Sequence, residues 1–257
     1  MSTPPSFETA GFKLSQPPDP SWTYGQSVTS TKLGKTWEEE EKEGWKTVVP
    51  TEADPRYVYG LCISGIVPRP IAFVSTVAED GSENIAPFSW FNQVSPNPCV
   101  ISISCSNTPR EKDTTANIKA TKGFTVNIIS EPWIAQANSC SIDAPPGVSE
   151  WTLSGLTKEP SVSVRPARVK ESAFSMECEV LQIVEIPKAD GTTAANLIIG
   201  TVKYIHVRKA VLNEKGFPVS RMGDIMYATV NNGFRIPRPA WAEAKEEIAQ
   251  TFGSASL

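Results

Sequence analysis

Between Ile71 and Val207 the chain carries about six runs of β-branched and aromatic residues, and several neighbours in sequence are joined by short, turn-rich gaps. The runs are Ile71–Val77, about Asn84–Gln93, Cys99–Cys105, Phe124–Ile129, Ser172–Ile186 and Leu197–Val207. Cys99-Val-Ile-Ser-Ile-Ser-Cys105 alternates apolar and polar with period two. In Ser172–Ile186 the same period places Phe174, Met176, Cys178, Val180 and Gln182 on one face. Glu79-Asp-Gly-Ser82 and Ala189-Asp-Gly191 are hairpin signals. A tight turn can join only antiparallel strands, because parallel ones need a crossover of a dozen residues or more. The expected fold is therefore mainly β with short helices, a largely antiparallel sheet forming a closed or split barrel. A doubly wound α/β fold is disfavoured, since no G-x-G-x-x-G links a strand to a helix.

Helices punctuate this pattern. Asp54-Pro55 reads as a helix start, running to about Cys62. Thr114–Lys122 has helical composition and Gly123 stands where a helix closes. Pro132–Cys140 and Trp241–Phe252 are two further short helices. Residues 1–50 read as an extension, kept irregular early on by Pro4, Pro5, Pro17, Pro18 and Pro20. Within it Leu33–Lys46 suits a short amphipathic helix that packs Trp37 and Trp45 on the main domain. Residues 51–238 form the barrel domain and 239–257 a terminal helix and tail.

With 257 residues, 40% of them hydrophobic, the chain can bury one good core. A net charge of −4 with no long basic run argues against a nucleic-acid partner. No apolar stretch suggests a membrane span or a secretory signal. The five cysteines form no C-x-x-C pair and their number is odd, which fits free thiols in a reducing cytoplasm. One histidine, His206, makes a His-rich metal site improbable, so no metal is expected.

Three segments can carry chemistry. In Val67-Pro-Arg-Pro70, Arg69 is stiffened by a proline on each side; it is either an aimed side chain or a surface arginine at a strand entry. In Asn84-Ile-Ala-Pro-Phe-Ser-Trp-Phe91, Pro87 implies an edge, a bulge or a gap in pairing. The small Ala86 and Ser89 would let a flat ring approach the backbone there; the alternative is an ordinary edge strand. In Arg110–Asn117, the residues Lys112, Asp113, Thr114 and Thr115 crowd a helix start, where free amides and the helix dipole favour phosphate. The alternative is a plain cap by Asp113 or Thr114. His206 lies in a strand and is either structural or catalytic.

Taken in order, these segments resemble the flavin reductase-like, FMN-binding split-barrel proteins, most closely the flavoredoxin and flavoprotein-oxygenase branch. The resemblance rests on Val67–Thr76, Gly81, Asn84–Phe91, Ser95-Pro96, Pro98, Lys112–Thr114, Asn117, Phe124–Asn127, Gly155-Leu156 and Ile199–Val207. It covers residues 55 to 230. The first 50 residues, the tail and the loop near Pro145 lie outside it, and could cover or gate a bound flavin.

The resemblance implies a homodimer with one FMN per subunit near the interface. Arg69, Ser75, Thr76, Asn84, Ala86, Pro87 and Ser89 would line the flavin, with Ser102 and Ser104 on the neighbouring strand. Lys112, Asp113, Thr114 and Thr115 would surround its phosphate. The implied chemistry is hydride transfer from NAD(P)H to flavin N5, with His206 near the nicotinamide or the flavin edge and no side chain needed as acid or base. Two further readings stand beside this reductase: an FMN-dependent oxygenase or oxidase of a small organic substrate, and a non-catalytic electron carrier.

Overall fold

A computed structural model describes residue 16 and residues 18–108, 110–145, 148–212, 214, 216 and 240–253. Expectations placed on Pro4, Pro5, Pro17, Pro146, Gly147 and residues 217–239 lie outside these. The chain divides into two compact units, Met1–Val67 and Pro68–Leu257.

The first unit holds a 3-10 turn at Val28–Ser30 and helices α1 (Lys32–Glu41) and α2 (Pro55–Gly65). Each start is set by a side chain that accepts from a free amide: Thr31 from Gly34 N–H at 3.0 Å, Asp54 from Arg56 N–H at 2.7 Å. Position 34 must be glycine, because a Cβ there would lie 1.7 Å from the Val28 carbonyl oxygen. Helix α1 stops at Glu41, so Trp37 and Trp45 do not share a helix face.

The second unit is built on strands β1 (Ala72–Val77), β2 (Glu83–Phe88), β3 (Phe91–Pro96), β4 (Cys99–Ser106), β5 (Gly123–Asn127), β6 (Lys158–Glu159), β7 (Arg168–Val169), β8 (Phe174–Pro187) and β9 (Thr193–Val207). Helices α3 (Asp113–Thr121), α4 (Ile134–Ser139), α5 (Glu150–Ser154) and α6 (Trp241–Phe252) accompany them. Seven strands make one sheet in the order β2-β1-β5-β8-β9-β4-β3, while β6 and β7 form a small hairpin. Every pairing among the described residues is antiparallel.

The run expected as one strand, Asn84–Gln93, breaks at Ser89-Trp90, and its halves go to opposite edges of the sheet. A flat sheet of this size would hold its edges roughly 30 Å apart. Phe88 and Phe91 are three residues apart, a reach of roughly 11 Å. The sheet must therefore curl until its edges face each other, giving the expected split barrel. Pro87 sits in β2, an edge strand, where its missing N–H costs no ladder bond.

Period-two alternation sorts side chains to two faces. Inside the barrel Ala72, Val74, Ile101, Ile103, Cys105, Phe124, Val126, Met176, Cys178 and Ile198 pack together, with Ile118 of α3 inserted among them. Outside, Phe73, Ile85 and Val169 pack under Trp133, Ala137, Cys140, Trp151 and Leu156 of the α4 and α5 layer. The inward set of β8 runs as expected through Val180. A register shift between Val180 and Gln182 then leaves Gln182 exposed and turns Ile183 inward instead. Buried Asn127 ties the layers: it donates to the Phe73 carbonyl at 3.1 Å and accepts from Val169 N–H at 2.9 Å and Ser175 Oγ at 2.8 Å. All five cysteines are free thiols. Among the described residues no helix is long and apolar enough to cross a membrane.

One core contact admits no side chain at all. A Cβ on Gly200 would lie 2.5 Å from Phe124 Cζ, and that ring is fully buried. Gly200→Ala should therefore cost about 1–3 kcal/mol through overpacking. Denaturant midpoints check this, with an unchanged midpoint counting against the packing described.

Candidate functional site

Helix α3 follows β4 and is fixed by burial of Ile118 in the barrel. Its end is set by Lys122, which takes the left-handed conformation (φ 62°) expected of Gly123. Gly123 instead begins β5, where a Cβ would press on Val164 at 3.3 Å. At the other end the cap position is Lys112, and no side chain caps the turn. The cap expected from Asp113 or Thr114 is thus absent. Asp113 lies inside the helix, and its carboxylate accepts two bonds from Arg110, at 2.8 and 3.1 Å. Lys112 Nζ pairs with Asp143 at 3.0 Å. Two cations thus flank an uncapped helix start, each held by a partly exposed carboxylate.

Behind this turn lies a buried polar row. Thr76 and Asn84 are register partners on β1 and β2 and face inward toward α3. Asn117 Nδ2 donates to Thr76 Oγ1 at 3.0 Å, and the Asn84 amide lies 2.8 Å from Thr114 Oγ1. Oriented with its oxygen toward that hydroxyl and the Ile85 N–H, the amide donates from its nitrogen to Glu150 Oε2 at 3.1 Å. Thr115 is also fully buried, with its hydroxyl beside the Cys105 thiol. Glu150 is only 6% exposed, and burial, reinforced by the charge of Asp113, pushes its carboxyl up to about 7 against the opposing pull of nearby N–H groups and Arg110. Nothing in the local pattern singles out Glu150. It follows a Pro-Pro-Gly loop, and only Ser149 ahead of it hints at a helix start.

Thr76, Asn84, Lys112, Asp113, Thr114 and Thr115 are therefore brought together at the start of α3. The remaining residues fall elsewhere. Arg69 Nε donates to Ser89 Oγ at 3.3 Å, where the chain crosses between the sheet edges. Ala86 and Pro87 are half-buried on edge strand β2. Ser102 and Ser104 alternate with inward Ile101 and Ile103, so they face outward on β4, and the Ser104 N–H donates to the Trp90 carbonyl at 2.9 Å. Ser75 is on the opposite face of β1 from Thr76, in a row with Thr125 and Glu177. Among the described residues no group of three or more His, Cys, Asp or Glu is arranged to hold a metal ion.

His206 belongs to that outer face. Its Nε2 lies 2.7 Å from Oε1 of Glu177, which is fully buried. The same carboxylate accepts from Val162 N–H at 2.7 Å, Ser163 N–H at 2.6 Å and Ser163 Oγ at 2.8 Å. Burial alone would raise this group. The two amides, the hydroxyl and the imidazole outweigh burial and bring it down to about 2. A depressed carboxyl stabilises the fold above its unfolded value and loses that contribution as pH falls through the folded value. Glu177→Gln should then cost on the order of 2–3 kcal/mol at neutral pH and flatten the acid limb of stability between about pH 4.5 and pH 2. Chemical denaturation across that range checks it; an acid limb as steep as the parent's would refute the assignment.

Residues 64–228 match the family described as "Flavin reductase like domain". An uncharacterized protein of Aquifex aeolicus is 37% identical over 188 residues, covering 70% of this chain and 93% of its own. Among solved structures, nitrilotriacetate monooxygenase component B from Bacillus cereus is 32% identical with a TM-score of 0.66, covering 75% of this chain and 99% of that one. The flavoredoxin of Desulfovibrio vulgaris (Miyazaki F) shares the fold at 21% identity and a TM-score of 0.53, over 65% of this chain and 93% of its own. On the breadth of that match and the identity of relatives covered almost end to end, the chain belongs to the flavin reductase-like family.

Proposed function

We propose that the chain binds FMN and reduces it with NAD(P)H, as an FMN-dependent oxidoreductase. The observation that carries this reading is the uncapped start of α3, flanked by Arg110 and Lys112 and backed by the inward row of Thr76, Asn84 and Thr114. Amides without a side-chain cap, a helix dipole and two cations suit a terminal phosphate monoester. The thiol-free, half-buried stretch Ala86–Ser89, with Arg69 laid on Ser89, suits a planar ring close to the backbone. Thr114 and Thr115 turn their hydroxyls inward, so their part would be to set the helix start, leaving Lys112, Arg110 and the first-turn amides to meet the anion. Bound FMN would supply the hydride-accepting ring, and the protein would orient it and exclude water.

A homodimer is part of this proposal. Trp90, Val94, Leu181, Tyr204 and Ile205 on or beside β3, β8 and β9 are between 43% and 61% exposed, apolar surface that favours a partner. Light scattering of a monomer with FMN fully bound would remove it. A second reading, service to the oxygenation of a small organic substrate, is favoured by one observation: the Bacillus cereus relative is a monooxygenase component.

The spectrum of the purified protein, followed by anaerobic addition of NADH or NADPH, tests the reductase reading; bleaching of bound flavin is expected, and flavin that neither donor reduces would refute it. Titration should show FMN bound more tightly than FAD. Lys112→Ala should weaken FMN by about ten- to a hundredfold, as for loss of a charge-assisted hydrogen bond. Asp143→Asn releases the same amino group and should tighten FMN by roughly two- to threefold, since half-exposed ion pairs contribute little. Affinity within twofold of the parent in Lys112→Ala would place the phosphate elsewhere.

A further inference from the structure

A carboxyl is an odd neighbour for a phosphate. Glu150, the first residue of α5, is 94% withdrawn from solvent by its 6% exposure, and one amide, that of Asn84, separates its Oε2 from the Thr114 hydroxyl at the start of α3. The charged groups around it are few. Arg110 and Asp113 face it from the α3 side, and the Arg110 guanidinium is already bound to Asp113. Lys112 beside them is bound to Asp143. On β2, Glu83 is engaged by Lys158; toward α4, the Cys140 thiol donates to the Glu150 carbonyl at 3.7 Å. No cation is paired directly with the Glu150 carboxyl among the salt bridges of the described residues. A dianion docked at α3 would sit close to this group in a poorly screened setting, where like charges disfavour one another.

We infer that Glu150 is the proton-binding member of the α3 anion site, so that flavin phosphate binds with uptake of one proton and is expelled as Glu150 ionises. This rests on the placement of the flavin phosphate at α3 proposed above. Burial already pushes the carboxyl up to about 7, so without phosphate beside it Glu150 is part ionised under ordinary conditions. Occupancy by phosphate then pulls the proton on. The Asn84 amide gives the link a structural route, since its orientation is shared between Glu150 and Thr114.

The test is titration of the flavin-stripped full chain with FMN and with riboflavin, which lacks the phosphate, between pH 6 and pH 8.5. FMN affinity should fall about tenfold over that range, by linkage to a single proton. The phosphate's own second ionisation works in the opposite sense, so a fall cannot come from the ligand. Riboflavin affinity should stay flat, and Glu150→Gln should flatten the FMN profile. Calorimetry of the unaltered protein in two buffers of different ionisation enthalpy, near pH 7.5, should show net proton uptake with FMN and none with riboflavin; this needs no variant to fold. A flat or rising FMN profile, absence of proton uptake, or a falling profile that persists in Glu150→Gln overturns the inference. If Lys112→Ala also leaves FMN affinity unchanged, the phosphate placement itself has failed; if Lys112→Ala weakens FMN while the profile ignores Glu150, only the role of Glu150 is lost.

Discussion

A sheet whose second and third strands occupy its two opposite edges, and are joined by only two residues, can exist only if those edges are brought face to face. The Ser89-Trp90 break allows no other arrangement, because two residues cannot cross the width of a flat seven-stranded sheet. Curling has consequences inside. The interior narrows until the Phe124 ring reaches across β8 to the backbone at Gly200. It also leaves one end of the barrel for α3, which inserts Ile118 and so carries its own first turn against β1 and β2. The polar row of Thr76, Asn84, Thr114 and Asn117 is the seam between that helix and the sheet.

Two buried glutamates on opposite faces show how the surroundings of a carboxyl set its charge. Glu177 accepts from two amides, a hydroxyl and an imidazole, and stays ionised far into acid. Glu150 has the Asn84 amide and the weaker pull of its own N–H, that of Ile85 and Arg110, and burial outweighs them, pushing it up to about 7. The count and geometry of donors decide the sign of the shift, not burial alone. The first arrangement locks a loop to the outer face and holds His206 in place. The second leaves a group able to change charge beside the helix start.

Around α3 the ion pairs are of the weak kind. Arg110–Asp113 and Lys112–Asp143 are partly exposed, with carboxylate exposures of 39% and 44%. Pairs of this sort contribute about 0–1 kcal/mol, so an incoming anion can compete for the cations at small cost. That is compatible with a site that keeps its cations ordered before a ligand arrives.

Much of the barrel was legible in local pattern. Alternation in Cys99–Cys105, the turns at Gly81 and Gly191, the Asp54 cap and the last helix at Trp241–Phe252 all depend on neighbours within a few residues, and such signals survive in a one-dimensional text. So did the segment around Lys112, since a helix start is a local event. Three things were decided only by tertiary structure. The split of Asn84–Gln93 came from closure, which no local preference encodes. Which of the neighbours Ser75 and Thr76 faces inward came from packing on both faces of β1, since burial throughout that strand left polarity unable to mark the outer side. The place of Glu150 beside Asn84 came from packing a short helix against β2 from 66 residues away in sequence, and a charge buried by distant residues leaves no trace in its own surroundings along the chain.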